Sequence, residues 1–426
     1  MRTAIRQLGL ATLILACVMG GRGASVQGAV RLAPARFAAL DGGGPVLPHI
    51  KVTAMTTAPG GVLYAAGVYV VRSKDRYAVN PVSSLGSTWL VSYDHGATWA
   101  RNISTTDPKA FPKNGTAAWT NHAALPIDFT PMSITVDPHN ANTIYVAGCV
   151  DLDATCSRPT PGVGAHLVVR STDSGRTWQD VLTTSTPIVS IGAKPPGTAL
   201  PTAGYAVLVD PRDSHRLYAA VNDVGVLRSE DAGRTWLYVP QPQSNFIGRP
   251  CELLADPRNP RVVYELAREG TLYRTTDAGA HWQTRALLAG QLHATSVSSL
   301  TWVGRSLYVT ARDGLYASAD GGARWRLSAG LPVAGGFDQS VRASNGWITT
   351  FSPLHNGPLA GLYAKTDQDP WIAVANTTQR GPQPYGTLDF PAMDTTLTTH
   401  LWYVPIARVV FTSGALGGLY RWQSSL

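Results

Sequence analysis

Carboxylates beside hydroxyls, guanidinium groups and indoles can do glycan chemistry. An acid protonates a leaving oxygen, an arginine holds an anion, and an aromatic ring packs on a sugar face. In this sequence of 426 residues they gather in RSTDSGRTWQD, Arg170–Asp180. Read alone, Asp173 with Ser171 and Trp178 could be catalytic or bind a metal. The same grouping recurs, however, as SYDHGATW (Ser92, Asp94, Gly96, Trp99), SEDAGRTW (Ser229, Asp231, Gly233, Trp236), TTDAGAHW (Thr275, Asp277, Gly279, Trp282) and SADGGARW (Ser318, Asp320, Gly322, Trp325). A worn copy, KTDQDPW, begins at Lys365. A catalytic constellation occurs once, whereas a fold element occurs once per structural unit. The spacing therefore predicts a turn in which Gly175 takes a positive φ, Asp173 accepts backbone amides with help from Ser171 or Thr177, and Trp178 folds back as a local anchor on its own unit.

The elements around the motif repeat with it. Each copy follows a short strand pattern such as GVLRS or GLYAS, and that follows another, such as RLYAAV or SLYVTA. Asp-Pro turns at Asp137, Asp210 and Asp256 precede three of these, with apolar runs ahead of them. One unit reads as four antiparallel strands. Motif starts at 92, 171, 229, 275, 318 and 365 settle to intervals in the forties, the period of a propeller blade. The reading is all-β: one β-propeller of seven four-stranded blades. The last unit ends after its third strand, so the ring is expected to close with an N-terminal strand from residues 30 to 40.

Several near-complete motifs in register resemble the Asp-box (BNR) repeat of sialidase-like propellers. Xyloglucanase-type glycosidases, sortilin-type receptors and the photosystem II assembly propeller carry similar repeats. The resemblance implies the fold and places ligands on the face opposite the boxes. It leaves enzyme, receptor and assembly factor open. A sialidase would need three convergent arginines, a tyrosine nucleophile and an acid/base aspartate. The Arg-Ile-Pro motif that introduces the first arginine is absent, and GRP at Gly248 is neither that motif nor in the right blade. A xyloglucanase-type site implies two aspartates in a cleft between two seven-bladed rings. The repeats here suffice for one ring, which a homodimer could double.

Function is expected where the repeats differ, in long loops around one mouth of the channel. Candidate ligand contacts are Lys74, Asp75, Arg76 and Tyr77 in blade one, Trp119 and His122 in the following connection, and Asp151 and Asp153 in blade two. Arg249 and Glu252 lie at the entry to blade four, and Arg380, Tyr385 and Asp389 in the last long connection. Aromatic, arginine and carboxylate groups around one rim suit a glycan or protein ligand.

Residues 1–29 read as a secretory signal, with Arg2 and Arg6 before an apolar core at Leu8–Met19, leaving 30–426 as the propeller. The alternative is a lipoprotein signal that leaves Cys17 lipid-anchored. No later segment is apolar enough to span a membrane as a helix. The net charge of +8 falls to +5 without Arg2, Arg6 and Arg22, and no basic block points to nucleic acid. Cys149 and Cys156 could form a disulfide, with Cys251 left over. Metal spacing and cofactor motifs are absent from the sequence. A monomer is expected. Sequons at Asn102, Asn114 and Asn376 are read as chance occurrences.

Overall fold

A computed structural model describes residues 37–39, 46–47, 50–72, 82–103, 125–126, 129–150, 165–190, 203–222, 224–240, 250–267, 270–288, 297–330, 336–352, 361–367, 371–376, 398–414 and 418–424. These residues form seven sheets, the blades of a β-propeller. After β1 (Phe37–Ala39), blade one holds β2 (Ile50–Thr57), β3 (Leu63–Arg72), β4 (Val82–Ser92) and β5 (Ala100–Ile103). Blade two holds β6 (Phe129–Asp137), β7 (Asn140–Val150), β8 (His166–Ser171) and β9 (Gln179–Thr183). After β10 (Ile188–Ser190), blade three holds β11 (Gly204–Asp210), β12 (Asp213–Val221), β13 (Gly225–Ser229) and β14 (Trp236–Tyr238). Blade four runs β15 (Pro250–Asp256), β16 (Asn259–Ala267), β17 (Thr271–Thr275) and β18 (Gln283–Leu287). Blade five runs β19 (Val297–Val303), β20 (Ser306–Ala311), β21 (Gly314–Ser318) and β22 (Arg326–Gly330). Blade six comprises β23 (Gly336–Ala343), β24 (Gly346–Ser352), β25 (Gly361–Thr366) and β26 (Ile372–Asn376). Blade seven has β27 (Thr398–Val404), β28 (Val409–Gly414) and β29 (Leu419–Ser424), and β1 pairs antiparallel with β29 through Phe37–Ser424, Ala38–Gln423 and Ala39–Trp422.

Blade three departs from the four-strand expectation. β10, from the connection after blade two, pairs in parallel with β14 and adds a fifth strand. Ile188 packs against the cluster between blades two and three, so the added edge strand also buries apolar surface. Among the described residues no helix is long and apolar enough to cross a membrane.

The core is divided among the seams between blades. Seven apolar clusters each draw on two neighbouring blades, including Trp99, Phe411 and Leu419 between blades seven and one. First strands of successive blades neighbour one another around the ring, β27 against β2 included.

This arrangement corrects the expected role of the motif tryptophan, which packs across a seam rather than only on its own blade. Trp99, Trp178, Trp236, Trp282, Trp325 and Trp371 of the worn copy each join the cluster shared with the preceding blade. Trp178 meets Trp89 of blade one edge to face, with centroids 4.9 Å apart. Trp236 donates Nε1–H to the Val181 carbonyl of blade two at 2.7 Å. The ring is large enough to fill the wedge between two twisted sheets; Trp99 and Trp325 instead turn their N–H to the Gly96 and Gly322 carbonyls of their own boxes, at 3.1 Å each.

The box turn is as expected in its polar half. Ser171 Oγ donates to Asp173 Oδ1 at 2.8 Å and accepts the Gly175 amide at 2.7 Å. Asp173 accepts the Thr177 amide at 2.8 Å and its hydroxyl at 2.6 Å. Asp94 and Asp231 repeat this with Thr98 and Thr235. At Asp277 the hydroxyl is replaced by His281 Nδ1 at 2.7 Å, and Asp320 caps the amides of Ala323 and Arg324. The turn takes two consecutive left-handed residues: Ser174 has φ 63° and Gly175 φ 88°. A Cβ on Gly175 would also lie 2.0 Å from Trp89 Nε1. Glycine thus meets both a backbone and a seam requirement.

Asp137, Asp210 and Asp256 cap their turns by accepting the amides of His139, Arg212 and Arg258 at 2.9 Å. Asp137 also accepts the Ser214 hydroxyl of the next blade at 2.7 Å.

Candidate functional site in the channel

Each first strand enters from an inter-blade connection and ends at the turn into its second strand. That turn shares a face with the boxes, since the amides of Ser174, Ala232 and Ala278 bond to the carbonyls of Asn142, His215 and Arg261. All seven first strands also skip one residue near their start: Thr53, Met132, Tyr205, Cys251, Ser298, Asp338 and Thr399. A bulge bends the strand and re-aims the residue that follows. The following residues are Ala54, Ser133, Ala206, Glu252, Ser299, Gln339 and His400.

Three of these reach across a seam to equivalent amides of the next blade. Ser133 Oγ accepts Val207 N–H at 3.4 Å, Glu252 Oε2 accepts Leu300 N–H at 2.6 Å, and Gln339 Oε1 accepts Leu401 N–H at 2.8 Å. They form part of a polar belt around the channel that ties blade to blade.

Between this belt and the box face lies a cavity of about 440 Å³, within the size range of small-molecule sites. Its walls include Glu252, Ser299, Gln339, Ser340, Arg342, Trp402 and Tyr403, with Met55–Thr57 of blade one. Burial pushes the half-buried Glu252 carboxyl up to about 7, against the lowering effect of the Leu300 amide. Burial, with the positive charge of Lys51, lowers His400 to about 3, so its imidazole is neutral near pH 7. Its ring stacks on Trp402 at 5.6 Å. Arg342 is held by Asp367 through bonds of 2.5 and 2.7 Å. Asp367 belongs to the worn box, which lacks the leading hydroxyl of the other copies, and its carboxylate serves this pair.

Of the thirteen candidate rim residues, Glu252 lies in the described structure, third in β15 and in the channel wall. Lys74, Asp75, Arg76, Tyr77, Trp119, His122, Asp151, Asp153, Arg249, Arg380, Tyr385 and Asp389 lie outside the described residues. The blade-one loop is shorter than its sequence suggests, because β3 continues to Arg72 and β4 begins at Val82. Cys149 is buried and disulfide-bonded; Cys156 lies outside the described residues. Sequence reasoning missed Ser299, Gln339, Arg342, Trp402 and Tyr403. The retrievable clue was a polar residue at the same place in successive first strands.

No known protein-family profile matches the chain. It is 28% identical over 232 residues to a xyloglucanase of a Paenibacillus species, covering 52% of this chain and 19% of that protein. It is 26% identical over 270 residues to the xyloglucanase Xgh74A of Acetivibrio thermocellus, covering 60% of this chain and 26% of that one. The chain thus spans about a fifth to a quarter of the length of these curated relatives. Among solved structures it is similar to YCF48 bound to D1 peptide, with a TM-score of 0.53 and 13% identity over 93% of this chain and 100% of that one. That likeness bears on the fold.

Proposed function

We propose that this Asp-box propeller, distantly related to xyloglucanases, is a secreted monomeric binding module. Its unequal loops, at the mouth opposite the boxes, would hold a glycan or a protein segment. Lipid anchoring at Cys17 is the alternative to free secretion. The observation that carries the reading is the use of the repeated acids. Asp94, Asp173, Asp231, Asp277 and Asp320 are engaged by donors of their own turns, which supports reading them as scaffold and looking for recognition in the loops. The peptide bound by the structurally similar propeller makes a protein segment a natural probe, and the xyloglucanase similarity makes a glucan another.

The second reading is a xyloglucanase-like glycoside hydrolase, favoured by the sequence similarity. A third is an assembly-factor role, suggested by the likeness to YCF48. The binding reading is tested by titrating the full chain with xyloglucan oligosaccharides and with peptides. Arg76→Ala and Asp153→Asn should weaken the binding found by about tenfold without changing the melting temperature. Binding indifferent to every rim substitution would overturn the placement at the mouth.

A further inference from the structure

We propose that the box-side cavity of the channel is a second binding site, for a primary ammonium or guanidinium group, with Glu252 as its counter-charge. It uses none of the mouth loops except the base residue Glu252 and does not depend on what those loops bind.

The charges in the described wall favour a cation. Arg342 is neutralised by its two-bond pairing with Asp367, which leaves Glu252 as the uncompensated charge in the cavity lining. Glu252 uses Oε2 for the Leu300 amide, and among the described residues no second hydrogen bond occupies its carboxylate. Ser299 and Ser340 donate their hydroxyl protons to Thr310 and Thr349, at 2.8 and 2.9 Å, so their oxygens retain accepting lone pairs. Such a wall offers acceptors to a donor-rich cation, while Trp402 and Tyr403 add aromatic surface beside the polar groups. Among the described residues, no cation of the elements packed around Glu252 is paired with it. β19 contributes Ser299, Leu300 and Thr301, and β16 contributes the buried Glu265. Arg342 of β23 is turned to Asp367, and Glu252 itself is raised by its burial, with the Leu300 amide acting in the opposite direction. A bound cation would stabilise the ionised carboxylate and release a proton near neutral pH.

The experiment is calorimetry on the full chain at pH 6, 7 and 8 with three probes: cadaverine, N-acetyl-lysine methylamide and the uncharged N-acetyl-norleucine methylamide. At least one cation should bind, more tightly as pH rises, with proton release read from buffers of different ionisation heat. The norleucine compound should bind about tenfold or more weakly than its lysine counterpart if the latter binds. Glu252→Gln, which can still accept the Leu300 amide, should lose about tenfold or more in affinity at pH 8. Binding of cadaverine alone assigns the site to small amines. Binding of the lysine derivative extends it to a peptide side chain. The proposal is overturned if neither cation binds at millimolar concentration, if the lysine and norleucine compounds bind equally, or if Glu252→Gln binds like the parent. Should that variant fail to fold, the uncharged probe and the proton count decide.

Discussion

Gly175 shows how one residue can satisfy two requirements that look like one in the sequence. Its positive φ is visible in the turn pattern, but the 2.0 Å approach that a Cβ would make is to Trp89 of the preceding blade. Gly175→Ala should therefore cost more than backbone strain alone, on the order of 2–4 kcal/mol, read as a loss in urea-unfolding free energy. A cost near 1 kcal/mol would mean that the seam adjusts freely. Glu252 carries a pH effect of defined sign. Its carboxyl is raised from an ordinary 4.5 to about 7, so the native state holds more protons than the unfolded chain between those values. Its stability contribution is present below about pH 4.5 and is lost as pH rises through 7. His400, lowered from 6.5 to about 3, acts oppositely: its contribution is complete above 6.5 and lost as pH falls toward 3. The stability of Glu252→Gln relative to the parent should consequently increase from pH 5 to pH 8 in parallel chemical melts. A constant difference would contradict the raised carboxyl.

Tryptophan and strand edge are the informative features of the elements. If the box tryptophan staples neighbouring blades, Trp178 and Trp89 should be energetically coupled. A double-mutant cycle of Trp178→Ala and Trp89→Ala should give a coupling of roughly 0.5–1.5 kcal/mol, and additivity would return the tryptophan to a local role. The short pairing of β1 with β29 motivates a different test. Deleting residues 30–40 should lower the melting temperature of the whole chain, since blade seven would lose its outer strand. Unchanged melting would exclude β1 as a structural closer. Box spacing made blades countable from sequence because each turn requires the same few residues. It did not reveal the seams, because an aromatic residue in a repeat pattern does not say which neighbour it faces. β10 was hidden for a related reason: its three residues resemble loop until an exposed edge offers them hydrogen bonds.

Across the whole molecule, the repeated residues serve the scaffold. The repeated acids are absorbed by turns and the repeated aromatics by seams. The channel wall was less legible. Glu252, Gln339 and His400 are three different side chains in strands of unlike sequence, and their equivalence emerges once the seven bulges are aligned. Glu252 was chosen from sequence as a loop-entry residue, and the structure adds its seam bond and its place in the cavity wall. The central claim is that recognition, rather than glycosidic bond cleavage, occupies the loop mouth. Its most direct measurement is product release from xyloglucan and from a panel of chromogenic glycosides, including a sialoside, by the full chain. The expected result is no turnover above the blank; turnover that Asp153→Asn abolishes would contradict it.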